Sequence, residues 1–356
     1  MSRTRATMTT AGTKVLEPLV SIILPVRDGE PFIGETLESA LGQTYRNIEV
    51  VVVDDGSRDR TRAVVDAWIE RDSRVRLLSQ TNRGVAAARN RAIAAAHGEL
   101  IAPLDADDLW EPTKIERQVR RIVEAGDGVG LVYCWWALID VTGAVLDCSP
   151  RWTIEGHAAE TLLQVNYTGN ASVPLYRRRC LEAVGGYDET LRERDAQGCE
   201  DWDVALKTAE RSQVAVVPSL LVGYRRRRDS MSARSDRMWR SHAIVLQGAR
   251  QRRPELTRAS IRRSHDQFSL HLAGVSFWSG AYRNALGWGS RAWRSGLALQ
   301  VLPSVIVLFL KTFLWRGRPS SRIIGPGVRF SSWEMPQSLI PYDRIYQRRF
   351  NRLRSE

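Results

Sequence analysis

The sequence predicts an α/β protein: a mostly parallel central sheet flanked by helices, followed by a mainly helical C-terminal extension. Three observations predict this. Short apolar runs alternate with helical patterns between Leu19 and Leu131. Aspartates cluster directly after two of those runs. Beyond Tyr224 the chain turns rich in arginine and tryptophan and shows no second set of strand-like runs. Strand–helix alternation favours parallel strands joined by covering helices. A length of 356 residues, 43% of them hydrophobic, suits about two domains with a sizeable core.

Each element follows from local pattern. Val20-Ser21-Ile22-Ile23-Leu24-Pro25 is a β-branched run closed by proline. Ile33, Leu37, Ala40 and Leu41 recur at helical spacing, with Pro31 near the helix start. Ile48 to Val53 is a second strand, and Val64, Val65, Trp68 and Ile69 form the next helical face. Val75 to Leu78 is a third strand, followed by an alanine-rich helix from Gly84 to Ala96. Leu100 to Leu104 is a fourth strand, and Pro112 opens a helix through Ile115, Val119 and Ile122. Val129 to Val222 is mixed, with an aromatic strand at Val132 to Trp136 and a helix after Glu200. The expected division is a flexible tail at 1–18, a catalytic unit at 19–224 with halves at about 19–130 and 131–224, and a basic helical extension at 225–356.

The net charge of +12 is concentrated. Between Arg225 and His265 there are thirteen arginines against three acids, Asp229, Asp236 and Glu255. Such a block suits an anionic membrane surface or a phosphorylated substrate, or else forms a solvated helical face. Nucleic acid is disfavoured, because Trp239 alone interrupts the block where a stacking platform needs several aromatics. The apolar run Leu297 to Leu310 contains Pro303 and falls short of the ~20 residues that span a bilayer. It suits core packing or an interfacial helix. Met1 to Lys14 lacks an apolar core, so no signal peptide is expected. Cys134, Cys148, Cys180 and Cys199 show no metal-ligand spacing and are expected as reduced thiols. The expected location is cytoplasmic, with attachment at the inner face of the cell membrane left open.

Four motifs carry chemistry. Leu104-Asp105-Ala106-Asp107-Asp108 sets three carboxylates after an apolar run. Crowded carboxylates repel, and a hard divalent cation such as Mg²⁺ or Mn²⁺ removes the conflict and can bridge a diphosphate. Helix capping and a turn before Pro112 would use the same residues. Val53-Asp54-Asp55-Gly56-Ser57 places acids past a second strand, where one can accept from a base N–H or a ribose hydroxyl, or shape the turn. Glu200-Asp201-Trp202-Asp203 precedes a helical face. An acid there can act as general base toward a hydroxyl, or cap the helix. Asn82-Arg83-Gly84 with Arg89-Asn90 puts cations and a glycine at a strand-to-helix loop suited to phosphate. Neither a Gly-rich dinucleotide fingerprint nor a phosphate-loop NTPase sequence is present, which removes the main support for oxidoreductase and ATPase readings.

In order along the chain, these pieces resemble a family-2 glycosyltransferase with the Rossmann-like GT-A fold. The resemblance also includes Gln43-Thr44-Tyr45, Ala88-Arg89-Asn90 and Gly185-Gly186-Tyr187-Asp188-Glu189, and it covers about Leu19 to Tyr224. It implies an inverting transfer of one sugar from a nucleotide-diphospho-sugar, most simply a UDP-sugar, to a glycan or lipid-linked hydroxyl in cell-surface polysaccharide synthesis. It implies Pro25, Val26, Arg27, Asp55, Gly84, Arg89 and Asp105 for the donor nucleotide, and Asp105 and Asp107 for Mg²⁺ or Mn²⁺. Asp201 is implied as general base, with Glu200 orienting beside it and Trp202 and Asp203 on the acceptor side. Processive members carry Gln-x-x-Arg-Trp and several membrane helices. Neither is found here, so a single transfer per encounter is expected. The rival readings are a sugar nucleotidyltransferase, which Leu24-Pro25-Val26-Arg27-Asp28-Gly29 matches poorly, and a non-catalytic carbohydrate-binding protein on the same scaffold.

Overall fold

The computed structural model describes residues 5–8, 14–227, 230–231, 234–292 and 330. Arg5–Met8 (β1) pairs antiparallel with Lys14–Glu17 (β2), in the segment read from sequence as a polar tail. The run Leu297 to Leu310 lies outside the described residues.

Val20–Val26 (β3) leads into Ile33–Leu41 (α1), then Ile48–Asp54 (β4), Thr61–Arg71 (α2), Val75–Ser79 (β5), Val85–Ala95 (α3) and Leu100–Pro103 (β6). Every residue of β3 and β4 is buried, as expected of parallel strands covered on both faces. β3 pairs in parallel with β4 on one side and β6 on the other, and β5 lies beyond β4. The chain therefore moves outward from β3 to β5 and then crosses back to β6. The crevice outside the carboxyl ends of β3 and β6 is a topological switch point, where open α/β sheets bind ligands.

The sheet continues through elements that the sequence pattern did not resolve. These are Leu109–Trp110 (β7), Val145–Cys148 (β9), Leu175–Arg177 (β10) and Gln213–Arg225 (β11), around the expected aromatic strand Val129–Ile139 (β8). Among the described residues the sheet has nine strands in the order β5-β4-β3-β6-β10-β8-β11-β7, with β9 paired to β8. β10 runs antiparallel between β6 and β8, so one sheet passes through both expected halves. Lys114–Glu124 (α4), Ala159–Gln164 (α5), Arg178–Ala183 (α6), Thr190–Glu193 (α7) and Glu200–Arg211 (α8) cover or connect the strands. Ser235–Arg252 (α9), Arg258–Trp278 (α10) and Tyr282–Ala292 (α11) form the helical extension.

The extension shares the core of the sheet unit. Met238, Val245, Leu246, Phe268 and Leu272 join the cluster that contains Ile22, Val51 and Leu206. Two family motifs have structural duties. The Gln43 side chain donates to the carbonyls of Ser39 and Glu111 and accepts from the Ile115 N–H, which ties α1 to the start of α4. Asn90 on α3 exchanges hydrogen bonds with the backbone of Tyr187. Gly186, at φ 68°, permits that approach, since a Cβ there would lie 2.6 Å from Asn90 Oδ1. All four cysteines are free thiols. Among the described residues no helix is long and apolar enough to cross a membrane.

Candidate active site

Three strand ends meet at the switch point. The Asp55 N–H donates to the Val26 carbonyl at 2.8 Å, and the Leu104 N–H to the Ile23 carbonyl at 2.9 Å. Pro25, Val26, Arg27, Asp55 and Asp105 therefore lie along one edge. The Arg27 side chain is well exposed beside Asp28. Gly84 caps α3 with φ 94°, and its N–H donates to Asp55 Oδ2 at 2.8 Å. Asp55 Oδ1 accepts from the Arg83 N–H and from Gln80 Nε2. A carboxylate has about four acceptor positions. With three occupied, Asp55 is first an anchor for the Gly84 loop and has one position left for a ligand.

Arg89 is the hub of the edge. It is 5% exposed, and its Nη2 meets Asp105 Oδ1 at 2.5 Å. Its guanidinium stands 5.1 Å from the Tyr187 ring. Burial disfavours its charge, but Asp105, Tyr187 and Asp201 together raise its pKa above the ordinary value. The same cation thus lies within electrostatic reach of a donor-side acid and of the α8 acid. Buried Arg89 Nε, Tyr187 Oη and Glu200 Oε1 have no hydrogen-bond partner among the described residues. Orphaned polar atoms at a crevice point to a polar ligand.

The three acids after β6 separate by environment. Asp108 is fully buried; its Oδ2 accepts from Asn170 and Ser172 and its Oδ1 from the Arg225 N–H. Burial, then Asp107 and Asp105, push its pKa well above the ordinary range. It is a structural acid. Asp107 is raised to about 6 by burial and by the Asp105 charge, against the pull of Arg227. Among the described residues no group of three or more His, Cys, Asp or Glu side chains converges as a ready metal cage. Two mutually repelling carboxylates nevertheless fit a cation that takes its other ligands from substrate phosphate and water, the usual arrangement for Mg²⁺.

The first turn of α8 carries both capping and chemistry. Glu200 Oε2 accepts the Gly198 N–H, and Asp201 Oδ1 accepts the Trp202 N–H. Asp201 is only partly exposed. Burial lifts its pKa to about 7, Arg89 opposes that rise and Glu200 adds to it. Burial raises Glu200 as well. Trp202 and Asp203, expected on the acceptor side, are engaged elsewhere. Trp202 is 3% exposed, donates to the Leu162 carbonyl and stacks on His242 at 5.0 Å. Asp203 is buried and pairs with Lys207. Consecutive helical residues point about 100° apart, so Asp201 and its two successors cannot face one cleft.

Among the described residues, several arginines of the block are committed to ion pairs. Arg225 is 1% exposed and reaches Glu35, Arg237 and Arg240 pair with Asp195, and Arg252 pairs with Glu210. Sequence reasoning missed Asn170, Ser172, Tyr187 and Arg227 at the site. Tyr187 carried a signal through its motif, and Arg227 only as a member of the arginine block.

A parallel sheet with its switch point lined by acids, extended by antiparallel strands, is the GT-A fold. Residues 21–139, about a third of the chain, match Glycosyl transferase family 2. EpsH of Bacillus subtilis is 36% identical over 171 residues, 47% of this chain and 49% of EpsH. Glycosyltransferase GlyG of Streptococcus pneumoniae serotype 4 is 39% identical over 110 residues, 31% of this chain and 36% of GlyG. The alignment spans about half or less of these relatives. The mannosyltransferase PcManGT from Pyrobaculum calidifontis, in complex with GDP-Man and Mn²⁺, superimposes with TM-score 0.55 at 23% identity, covering 85% of this chain and 82% of its own. S. aureus TarS 1–349 with UDP-GlcNAc gives 0.51 at 16%, covering 79% and 92%. At such identity these likenesses establish the fold.

Proposed function

We propose that the chain is an inverting glycosyltransferase that moves one sugar from a nucleotide-diphospho-sugar to a hydroxyl acceptor. The observation that carries this reading is the buried Arg89 at the switch point, which pairs with Asp105 and acts electrostatically on Asp201. Pro25, Val26, Arg27 and the free position on Asp55 hold the nucleoside. Asp105 and Asp107 hold Mg²⁺ or Mn²⁺, which when bound supplies positive charge to the diphosphate. Asp201 removes the acceptor hydroxyl proton. The acceptor oxygen bonds to the anomeric carbon, and the bond to the diphosphate oxygen breaks with its electron pair leaving on phosphate. Opposite-face attack inverts the centre. Arg89 holds Asp105 in place and favours the ionised form of Asp201. A base with pKa near 7 is well matched to neutral pH.

GDP-Man and UDP-GlcNAc in the complexes of structural neighbours support a nucleotide-sugar donor. A UDP-sugar remains our choice, with a glycan or lipid-linked acceptor in polysaccharide synthesis. The cytoplasmic face of the cell membrane is the setting that suits such an acceptor. Hydrolysis of a panel of UDP- and GDP-sugars tests the reading. One donor should be cleaved with Mn²⁺ or Mg²⁺ and spared in excess chelator; equal cleavage with chelator would refute the metal assignment.

A further inference from the structure

β11 ends beside the acidic run that follows β6, with Arg225 as its last residue. Arg225 is anchored there. Its N–H donates to Asp108 Oδ1 at 2.8 Å, its Nε to the Asp107 carbonyl at 2.7 Å, and its Nη2 meets Glu35 at 2.7 Å. Two residues further on, Arg227 Nη1 lies 3.3 Å from Asp107 Oδ2, and its guanidinium 5.3 Å from the Phe32 ring. The carboxylate assigned above to the divalent cation is therefore already paired with a cation of the chain itself.

The two acids of the pair are not neutralised in the same way. Arg89, the partner of Asp105, sits within α3 with a side chain 6% exposed. Arg227 follows the end of a strand, and its side chain is 24% exposed. Of the two arginines, Arg227 is the more exposed and is not held within a helix. The charges make the consequence plain. Asp105 and Asp107 each already have an arginine partner, so a bare divalent cation must compete with Arg227 for Asp107. A diphosphate arriving with the cation changes both terms, because it brings negative charge for the cation and a new acceptor for the displaced guanidinium.

We propose that Arg227 is a resident countercharge: it holds Asp107 until donor arrives, then transfers to the diphosphate, so that cation and diphosphate bind as one coupled unit. This rests on the nucleotide-sugar reading above. Coupling of this kind is reciprocal, each ligand tightening the other by the same factor.

The test is Mn²⁺ binding to the full chain, read from the EPR signal of free Mn²⁺, with and without uridine diphosphate. Arg227→Gln and Arg227→Ala should bind Mn²⁺ alone about fivefold more tightly than the unsubstituted protein, the upper range for an incompletely buried ion pair. The tightening that uridine diphosphate gives to Mn²⁺ should shrink by a similar factor. Arg227→Lys keeps the charge and should stay within about twofold of the unsubstituted protein. Melting curves establish that each variant is folded. Unchanged Mn²⁺ affinity in both neutral variants, with Mn²⁺–uridine diphosphate still bound, overturns the proposal and leaves the metal assignment standing. Tightening in Arg227→Lys equal to that in Arg227→Gln overturns it too, because charge would not be the cause. Failure of every form to bind Mn²⁺, with or without uridine diphosphate, overturns both.

Discussion

Replacing Asp201 by asparagine separates the two things this residue does. As the base, Asp201 must be ionised when the acceptor arrives. Its pKa of about 7 means that the unsubstituted rate rises with pH through neutrality. Asp201→Asn should retain donor binding and lose roughly 10²–10⁴-fold in transfer, the span of general-base catalysis. Stability should move the other way. The folded protein holds the proton of Asp201 more tightly than an unfolded chain, whose ordinary value is 3.8. The unfolded state therefore binds fewer protons between about pH 4 and 7, and stability falls as pH rises through that window. From 3.8 to about 7, at about 1.36 kcal/mol per tenfold change in proton affinity, the ceiling is about 4 kcal/mol. Residual solvent at a partly exposed group brings the expected value nearer ~2 kcal/mol. Asp201→Asn should thus be more stable than the unsubstituted protein at pH 8 and nearly equal to it at pH 4. Urea denaturation at the two pH values, with single-turnover transfer at pH 8, reads both effects. Unchanged transfer would exclude Asp201 as the base, and a stability difference that ignores pH would exclude its raised pKa.

Asp108→Ala leaves the Asn170, Ser172 and Arg225 donors unpaired in the interior, and should cost about 2–4 kcal/mol in urea denaturation; a cost below about 0.5 kcal/mol would contradict its structural role. Full-length protein should bind vesicles containing an anionic phospholipid, more weakly as salt rises through the screening range. Indifference to such vesicles at low salt would remove the membrane setting.

Much of the nucleotide half was legible because its strands are buried on both faces. β3 and β4 are β-branched runs that admit few other readings. β11 was hidden by Pro218, which sits exposed where the pairing with β8 shifts register. β7, with two residues, is too short to carry a period. At the site, Asp105, Asp107 and Asp108 look alike in sequence. What distinguishes Asp108 is Asn170 and Ser172, contributed from more than sixty residues further along the chain. Trp202 and Asp203 are expected on the acceptor side through the motif they share with Asp201, and in the structure both side chains are buried. Arg225 and Arg227 read as part of a basic surface because sequence does not show that β11 ends beside Asp107 and Asp108.

Crystals grown with Mn²⁺ and a nucleoside diphosphate test the central claim most directly. An anomalous manganese peak is expected within bonding distance of Asp105 and Asp107, with the diphosphate at the carboxyl ends of β3 and β6 and Asp201 facing the open side. Manganese at any other position, or a diphosphate bound away from Arg89 and Asp105, would contradict it.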